Sequence, residues 1–327
     1  MKHVVVTGAA GFVGSQLAER CLDRGWQVTA VDSLTPYYDE RIKRRNLTRL
    51  CSDPNCEFVT DDLVSLDLRQ LLSDVEIVFH LAAQPGVRAS WGESFDIYTH
   101  SNVTALQRLL EAAKVSPSIE RFVFASSSSV YGDAESLPTS EDSVLRPVSP
   151  YGATKALGEY LTYLYYKSYG VPTVSLRYFT VYGPRQRPDM AFHRLILAGL
   201  TDGGFRLFGD GEQSRDFTFV RDAVAGTIAA GECGEPGGLY NLGGGSQVTM
   251  NEVIGTLARL MGYELRVSRG ESQMGDARHT SADTSRARRD LGFSPTLSLE
   301  EGLREQVEWQ RAHLDLLTEA ASSPVSA

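Results

Sequence analysis

Short apolar runs alternate with amphipathic stretches along the first half of the chain. Residues 2–7 are rich in valine, and an apolar run of this length predicts a strand that is buried on both faces. Further runs of this kind predict strands at 27–31, 57–59, 75–81, 121–125 and 173–177. Apolar residues at helical spacing predict helices at 15–24, 99–114 and 150–169. This alternation predicts an α/β fold built on a doubly wound parallel sheet.

The pattern loosens after about residue 180, where glycine, proline and arginine become frequent. Helical spacing returns at 221–230, 250–261, 284–290 and 299–313. We expect residues 1–178 to form a first domain, to which residues 216–245 return. We expect a smaller lobe from residues 179–215 and 246–319. The tail at 320–327 is expected to be disordered, because its residues are small and polar.

Composition and charge disfavour several classes of protein. The 327 residues carry a net charge of −9, which disfavours a surface that follows nucleic-acid phosphates. No apolar run approaches the roughly 20 residues that span a bilayer, and the N-terminus does not resemble a signal peptide. The four cysteines lack zinc-binding spacing, so we expect free thiols, no metal and a cytoplasmic protein. The basic run at Arg41, Lys43, Arg44 and Arg45 predicts a solvated helix face, with a binding patch as the alternative.

A glycine-rich turn joins the first predicted strand to the first predicted helix. Its glycines, Gly8, Gly11 and Gly14, permit a tight turn and let backbone N–H groups approach a pyrophosphate at the helix N-terminus. Asp32 ends the next predicted strand, where a carboxylate accepts hydrogen bonds from the adenosine ribose and repels a 2′-phosphate. The turn therefore predicts a dinucleotide site that takes NAD in preference to NADP. A turn or helix-capping role is the alternative for Asp32.

Tyr151 and Lys155 lie four residues apart on the predicted helix at 150–169, which places both side chains on one face. A lysine ammonium beside a phenol favours the phenolate, so Tyr151 is a candidate general base. Four serines at 126–129 directly follow a predicted strand, at the end where open α/β sheets bind ligands. An ordinary Tyr–Lys surface pair and a serine-rich loop are the alternatives.

The order of these motifs resembles the extended short-chain dehydrogenase/reductase superfamily along nearly the whole chain. The resemblance implies a Rossmann fold with a smaller C-terminal substrate-binding lobe. It implies that Ser127 hydrogen-bonds the reacting hydroxyl, that Tyr151 takes its proton, and that Lys155 holds the nicotinamide ribose. With Tyr151 and Lys155, the residues it places around NAD are Gly8, Gly11, Phe12, Val13, Gly14, Asp32, Asp62, Leu63, Leu81, Ala82, Ala83 and Tyr178.

Two stretches in the second half, residues 177–184 and 208–217, resemble sugar-nucleotide epimerases and dehydratases. The resemblance implies that Phe208 stacks on the base of the sugar nucleotide and that Arg215 binds its diphosphate. Arg278 is a second candidate for the phosphates. The planar guanidinium fork suits this task, and a surface salt bridge is the alternative for each arginine.

The residues before Val130 bear on the type of reaction. Sugar 4,6-dehydratases of the family carry an Asp-Glu pair at the positions of Ser128 and Ser129, and UDP-glucuronate decarboxylases typically carry Glu at the position of Ser129. Serine hydroxyls are too weakly acidic to replace these carboxyl groups readily as general acids or bases. The reaction that remains is that of a 4-epimerase, which oxidises C4 and returns the hydride to the opposite face.

Residues 79–88, 90–91 and 180–190 are similar to the bacterial UDP-glucuronate 4-epimerases, although Ser127 stands where those enzymes often have threonine. The resemblance implies conversion of UDP-glucuronate to UDP-galacturonate by a homodimer joined through helices at 99–114 and 150–169. Ser128, Ser129 and Thr180 are candidates to donate hydrogen bonds to the uronate, and Arg187 to add charge. Three alternatives stay open: a 4-epimerase for UDP-glucose or UDP-N-acetylglucosamine, a UDP-glucuronate decarboxylase, and a silent NAD-binding scaffold.

Overall fold

The computed structural model describes residues 1–271 and 277–322. Its strands are β1 His3–Thr7, β2 Gln27–Val31, β3 Cys56–Val59, β4 Ile77–His80, β5 Arg121–Ser127, β6 Thr173–Tyr178, β7 Val181–Tyr182, β8 Gly204–Phe208, β9 Ser214–Asp216, β10 Thr218–Phe219, β11 Gly238–Leu242, β12 Gln247–Thr249 and β13 Arg266–Gly270. Its helices are α1 Phe12–Asp23, α2 Glu40–Leu47, α3 Leu68–Leu71, α4 Phe95–Tyr98, α5 Ala105–Ala113, α6 Pro150–Tyr169, α7 Ala191–Leu200, α8 Val220–Cys233, α9 Met250–Met261, α10 Ser285–Leu291, α11 Leu299–Ala312 and α12 Leu314–Ser322. Single 3-10 turns lie at Leu50–Ser52, Arg88–Ser90, Gly92–Ser94 and Ser128–Val130, and a π-helical stretch lies at Thr99–Thr104.

A parallel sheet forms the centre of the molecule, with the strand order β11-β6-β5-β4-β1-β2-β3. From β1 the chain builds outwards through β2 and β3 on one side. It then crosses back to β4 and builds outwards through β5 and β6 on the other side. The carboxyl ends of β1 and β4 therefore meet where the strand order reverses, which is where open α/β sheets bind ligands.

Both faces of this sheet are covered by helices. Alternate strand residues point to opposite faces, so Val4 joins an apolar cluster with Leu17 of α1 and Ile228 of α8. Val5 joins a second cluster on the other face with Leu106 of α5. Burial on both faces explains why the strands are apolar throughout instead of alternating.

The helix α6 has a clear beginning and end in its sequence. The Ser149 hydroxyl accepts a hydrogen bond from the Gly152 N–H, and Pro150 occupies the first turn. Gly170 ends the helix in the left-handed conformation, with φ of +72°. These signals fix the register of the helix and therefore the positions of Tyr151 and Lys155.

The second half of the chain supplies two different parts of the structure. Residues 216–245 include α8 and β11, and β11 pairs with β6 at the edge of the central sheet. The remaining segments form small sheets, in which β8 pairs with β13 and β9 with β12. Among the described residues, no helix combines the length and apolarity needed to cross a bilayer.

The predicted α/β fold with its doubly wound parallel sheet is confirmed, and several local predictions need correction. The strand expected to stop at 125 continues to Ser127, and the helix expected at 99–114 is divided by the π-helical stretch. The pattern missed α7 entirely. The predicted disorder is wrong for residues 320–322, because α12 continues to Ser322 and Ala320 is buried against Tyr38 and Ile42. Residues 323–327 lie outside the described residues.

Candidate active site

The glycine turn between β1 and α1 is closed by its own backbone. Gly8 has φ of +71° and donates its N–H to the Val31 carbonyl at 2.8 Å. A Cβ on Gly14 would lie 2.1 Å from the Gly8 oxygen, and a Cβ on Gly8 would lie 2.8 Å from the Ala82 nitrogen. Glycine at both positions therefore lets α1 begin this close to the turn, with its N-terminus at a cleft.

Asp32 follows β2 at the wall of the same cleft. Its two carboxylate oxygens accept hydrogen bonds from the backbone N–H groups of Ala10, at 3.0 Å, and Leu34, at 2.8 Å. These bonds hold the carboxylate in place and leave lone pairs for further hydroxyl donors. Asp32 therefore has the turn role that was the alternative to cofactor binding, and its carboxylate also faces the cleft.

A cleft of about 240 Å³ opens at the carboxyl ends of β1 and β4. Every residue predicted to contact NAD lines it, and Arg187 lines it as well. These residues come from widely separated segments of the chain, and the sheet brings them together. The predicted set is Gly8, Gly11, Phe12, Val13, Gly14, Asp32, Asp62, Leu63, Leu81, Ala82, Ala83, Tyr151, Lys155 and Tyr178.

Tyr151 lies in the cleft beside Ser127. The Ser127 hydroxyl is close enough to the phenol to act on its pKa, and it donates a hydrogen bond to the Oγ of Ser129 at 3.1 Å. Burial raises the pKa of Tyr151, while the charge of Arg187 and the nearby Ser127 hydroxyl oppose that rise. Arg187 thus supplies a positive charge that favours the phenolate, beside Lys155, for which the sequence pattern predicts the same effect.

The Lys155 ammonium is anchored on the sheet. Its Nζ donates to the Ala125 carbonyl at 2.8 Å, and it lies 5.1 Å from the ring centroid of Phe124 and 6.0 Å from that of Tyr151. Burial lowers the pKa of Lys155 to about 8, and the negative charge of Glu159 opposes this change. An ammonium anchored in this way keeps donors for a ribose diol in the cleft.

Arg187 reaches the cleft from the segment before α7. Its guanidinium makes two hydrogen bonds of 3.0 Å to Asp189, and the Tyr37 hydroxyl donates to the same carboxylate at 3.3 Å. Burial works to lower the pKa of Arg187, but the charge of Asp189 keeps it above its ordinary value. The expected cation is therefore present, and a neighbouring carboxylate neutralises part of its charge.

The hydroxyls expected to hold a uronate lie just beyond two paired strands. Ser127 of β5 is opposite Tyr178 of β6, so Ser128, Ser129 and Thr180 follow at neighbouring positions. Ser127 also caps the turn at Ser128–Val130, where its Oγ accepts the Ser129 N–H at 3.1 Å. All three hydroxyl residues are partly exposed, which leaves them accessible to a ligand.

Arg215 and Arg278 contact each other in the second half of the chain, where Phe208 ends β8. Arg215 donates to the Arg278 carbonyl at 3.0 Å, and Arg278 pairs with Asp210 at 3.0 Å. The Arg278 side chain is 66% exposed, so its contact is the surface salt bridge considered as the alternative. Gly275 and Asp276, which precede Arg278 in its motif, lie outside the described residues.

Arg88, which no sequence motif singled out as a site residue, links Phe208 to the segment that lines the NAD cleft. Its guanidinium lies 4.8 Å from the ring centroid of Phe208. Arg88 follows Gln84 and Pro85, which line the cleft. Its position in the stretch at 79–88 was a signal, but no local pattern indicated which distant residue it would contact.

Lys43 lines the cleft, although no sequence motif placed it there. Arg41 and Arg44 are exposed as expected, but Lys43 is only 5% exposed and donates to the Thr35 carbonyl at 2.7 Å. The prediction of a solvated face is therefore wrong for this residue. Its spacing carried a signal, because residues 42, 43, 46 and 47 form the buried side of α2.

The cleft has the features that NAD requires. The helix N-terminus and the glycine turn suit a pyrophosphate, Asp32 suits a ribose diol, and a Tyr-x-x-x-Lys pair faces both. On a doubly wound sheet, this combination defines an extended short-chain dehydrogenase/reductase. The chain belongs to the NAD dependent epimerase/dehydratase family, whose model matches residues 4–243, so NAD is its cofactor.

Relatives of known name cover nearly the whole chain. UDP-glucuronic acid 4-epimerase from Bacillus cereus, solved with UDP-glucuronic acid and NAD, is 42% identical with a TM-score of 0.92, over 95% of this chain and 99% of that chain. The uncharacterized UDP-glucose epimerase YtcB of Bacillus subtilis (strain 168) is 43% identical over 310 residues, covering 94% of this chain and 97% of that protein. UDP-glucuronate 4-epimerase of Thermodesulfobacterium geofontis (strain OPF15) is 38% identical over 324 residues, covering 97% and 98%. The predicted resemblance is therefore confirmed.

Proposed function

We propose that this protein converts UDP-glucuronate to UDP-galacturonate by epimerisation at C4, through a transient 4-keto intermediate. One observation carries the proposal: Tyr151 of the NAD cleft lies beside Ser127, which is followed directly by Ser128 and Ser129, where a dehydratase needs carboxyl groups. A site for oxidation and reduction that lacks these groups fits epimerisation better than elimination. The relative from Bacillus cereus, solved with UDP-glucuronic acid and NAD, supports the same substrate.

The catalytic roles in this proposal follow from the positions of three side chains. When bound, NAD supplies the hydride acceptor and then the hydride donor for C4. Tyr151 takes the proton of the C4 hydroxyl during oxidation and returns it to the keto oxygen during reduction. Ser127 hydrogen-bonds the same oxygen, and Lys155, anchored on Ala125, orients the ribose. The sugar presents its other face between the two steps, so the configuration inverts.

In this proposal, the hydroxyl residues also protect a uronate from losing its carboxylate. Its 4-keto intermediate is a β-keto acid, which loses carbon dioxide readily. Ser128, Ser129 and Thr180 supply donors beyond β5 and β6 that can hold the carboxylate, and Arg187 supplies positive charge. For the nucleotide, we assign Phe208 to the base, and Arg215 with Arg278 to the diphosphate.

A neutral UDP-sugar is the second candidate substrate, because Arg187 is already bonded twice to Asp189. A substrate carboxylate has to share or replace that partner, whereas a hydroxymethyl group does not. The relative named for UDP-glucose, at 43% identity, favours the same alternative.

The first test is to incubate the purified protein with NAD and UDP-glucuronate labelled with ¹³C at C6, and to follow the products by NMR. We expect UDP-galacturonate that retains the label, and no product from the Tyr151→Phe variant. Labelled carbon dioxide with a UDP-pentose would contradict the proposal in favour of a decarboxylase. If only UDP-glucose or UDP-N-acetylglucosamine reacts, the neutral-sugar epimerase replaces it. Bound NAD without turnover of any of these substrates would indicate a silent scaffold.

We also propose an arrangement for the whole protein. Residues 1–178 with 216–245 form the NAD-binding domain, and residues 179–215 with 246–319 form the sugar-nucleotide lobe. The active form is a homodimer in the cytoplasm. Leu157, Tyr160 and Leu164 support a dimer contact, because they lie on one side of α6 and are 43%, 62% and 52% exposed.

A further inference from the structure

Glu159 shares a stripe of α6 with the two catalytic candidates. Tyr151, Lys155 and Glu159 follow one another at intervals of four residues, so their side chains lie on one side of the helix. Two neighbouring hydrogen bonds connect this side of α6 to the end of β5. Lys155 donates to the Ala125 carbonyl at 2.8 Å, and Ser126 donates its hydroxyl to Glu159 at 2.5 Å.

The Glu159 carboxylate is held in a buried ion pair. Arg177 of β6 donates to both of its oxygens, at 2.9 Å and 2.7 Å, and the two side chains are 7% and 3% exposed. Arg177 also donates to the Tyr131 hydroxyl at 2.7 Å and the Glu141 carbonyl at 3.0 Å. Burying two charges is costly even when they are paired, so stability alone is a weak reason to have this pair.

Lys155 lies in surroundings that oppose its positive charge. Burial lowers its pKa to about 8, and the negative charge of Glu159 acts in the opposite direction. Burial also lowers the pKa of His80 to about 3, so this imidazole is neutral near pH 7 and adds no second positive charge beside Lys155. The titratable and charged groups around Lys155 are Tyr151 and Glu159 of α6, His80 of β4, Arg177 of β6 behind Glu159, and Arg187 across Tyr151.

We propose that Glu159 is a positioning residue for catalysis, whose buried carboxylate keeps Lys155 in its ammonium form and fixes α6 against the strand end that carries the catalytic serine. The charge acts on Lys155 from one helical turn away, while the bond from Ser126 fixes the residue before Ser127. Arg177 donates to both oxygens of this carboxylate and so holds it in place inside the protein. This role rests on the proposed function of Lys155 in the NAD site.

The direct test is an NMR titration of Lys155 in protein labelled with ¹³C at lysine Cε, with the signal assigned by its loss in Lys155→Met. Removing a negative charge makes the ammonium less favourable, so we expect the Lys155 pKa in Glu159→Gln to fall by at least about one unit below the wild-type value. Glu159→Asp, which keeps the charge, should restore most of the difference. Glu111→Gln, on the exposed side of α5, is the control and should leave the pKa unchanged.

If Glu159→Gln fails to fold because Arg177 loses its partner, a double variant takes its place in the test. Glu159→Gln with Arg177→Gln removes both buried charges, and we expect the same direction of shift. An unchanged Lys155 pKa in either folded variant would overturn the inference, whatever substrate the enzyme uses. In turnover, the alkaline limit of kcat should move to lower pH while KM for the UDP-sugar stays unchanged. A shifted Lys155 pKa without this kinetic change would instead count against the proposed catalytic role of Lys155.

Discussion

At the residue scale, hydroxyl groups rather than carboxyl groups surround the reacting carbon in the proposed site. Ser127 lies beside Tyr151, and Ser128 and Ser129 continue from it along the 3-10 turn. A carboxylate at either position would repel a uronate, whereas a hydroxyl donates a hydrogen bond to it. We therefore expect Ser128 and Ser129 to interact with the carboxylate of the substrate.

We expect the Ser128→Ala/Ser129→Ala variant to lose selectivity for the uronate. A hydrogen bond to a charged group contributes about 1.5–3 kcal/mol, so kcat/KM for UDP-glucuronate should fall by roughly 10- to 100-fold or more. Turnover of a neutral UDP-sugar should change less, and more of the uronate product should be decarboxylated. Product analysis by NMR measures both quantities.

The exposed Ser168 near the end of α6 offers a matched control, because Ser168→Ala removes a hydroxyl far along the helix from Tyr151. Uronate turnover and product ratio that stay at wild-type values in the double variant would contradict a role for these hydroxyls.

The residues of the site differ in how far the sequence could reveal them. The glycine turn and Asp32 are separated by one helix and one strand, so local spacing predicts their meeting. Lys43 has no such motif, and Arg88 depends on the position of Phe208, which is 120 residues further along. The electrostatics of Tyr151 were also hidden, because the direction of the Lys155 ammonium is decided by the Ala125 carbonyl of another element.

At the element scale, the position of α1 depends on the absence of a side chain at Gly14. Helical glycine normally costs about 1 kcal/mol relative to alanine, so a glycine in the first turn needs a packing reason. Here the reason is the Gly8 oxygen, which leaves no space for a Cβ. Because this oxygen belongs to the backbone, it cannot move aside as a flexible side chain would.

We therefore expect Gly14→Ala to separate α1 from the glycine turn. The free energy of unfolding should fall by about 1–3 kcal/mol, and NAD affinity should fall with it. Gly255→Ala in α9 is the matched control, because its Cβ would have only the end of the Arg259 side chain at 4.0 Å. This control should be neutral or stabilising. Thermal denaturation and NAD titration measure the two effects, and equal behaviour of both variants would contradict the packing argument.

At the scale of the whole molecule, the outer side of α6 leaves an apolar surface. Leu157, Tyr160 and Leu164 are exposed, while Lys155, Glu159 and Thr162 of the same helix are buried. A second copy of the chain on this surface would cover the apolar side chains and brace the helix that carries the catalytic pair. Oligomeric state and activity should therefore change together.

We expect Leu164→Lys to convert the proposed dimer to a monomer and to reduce turnover, because a buried lysine without a partner is costly. Val144→Lys is the control, since Val144 is 63% exposed in a loop outside α6. Sedimentation equilibrium measures the mass. A monomeric wild-type protein, or a Leu164→Lys variant with the mass of a dimer, would contradict the proposed contact.

The sequence by itself determined the class of fold and the chemical identity of the site. Strand and helix periods, the glycine turn, the capping of α6 and the Tyr-x-x-x-Lys spacing are local, so the chain order carries them directly. Only the tertiary structure decided which distant side chains meet: Arg187 with Tyr151, Arg88 with Phe208, and Glu159 with Arg177. These contacts depend on where each element lies on the sheet and on which side chains are buried together. Neither arrangement produces a repeating pattern in the sequence from which it could be predicted.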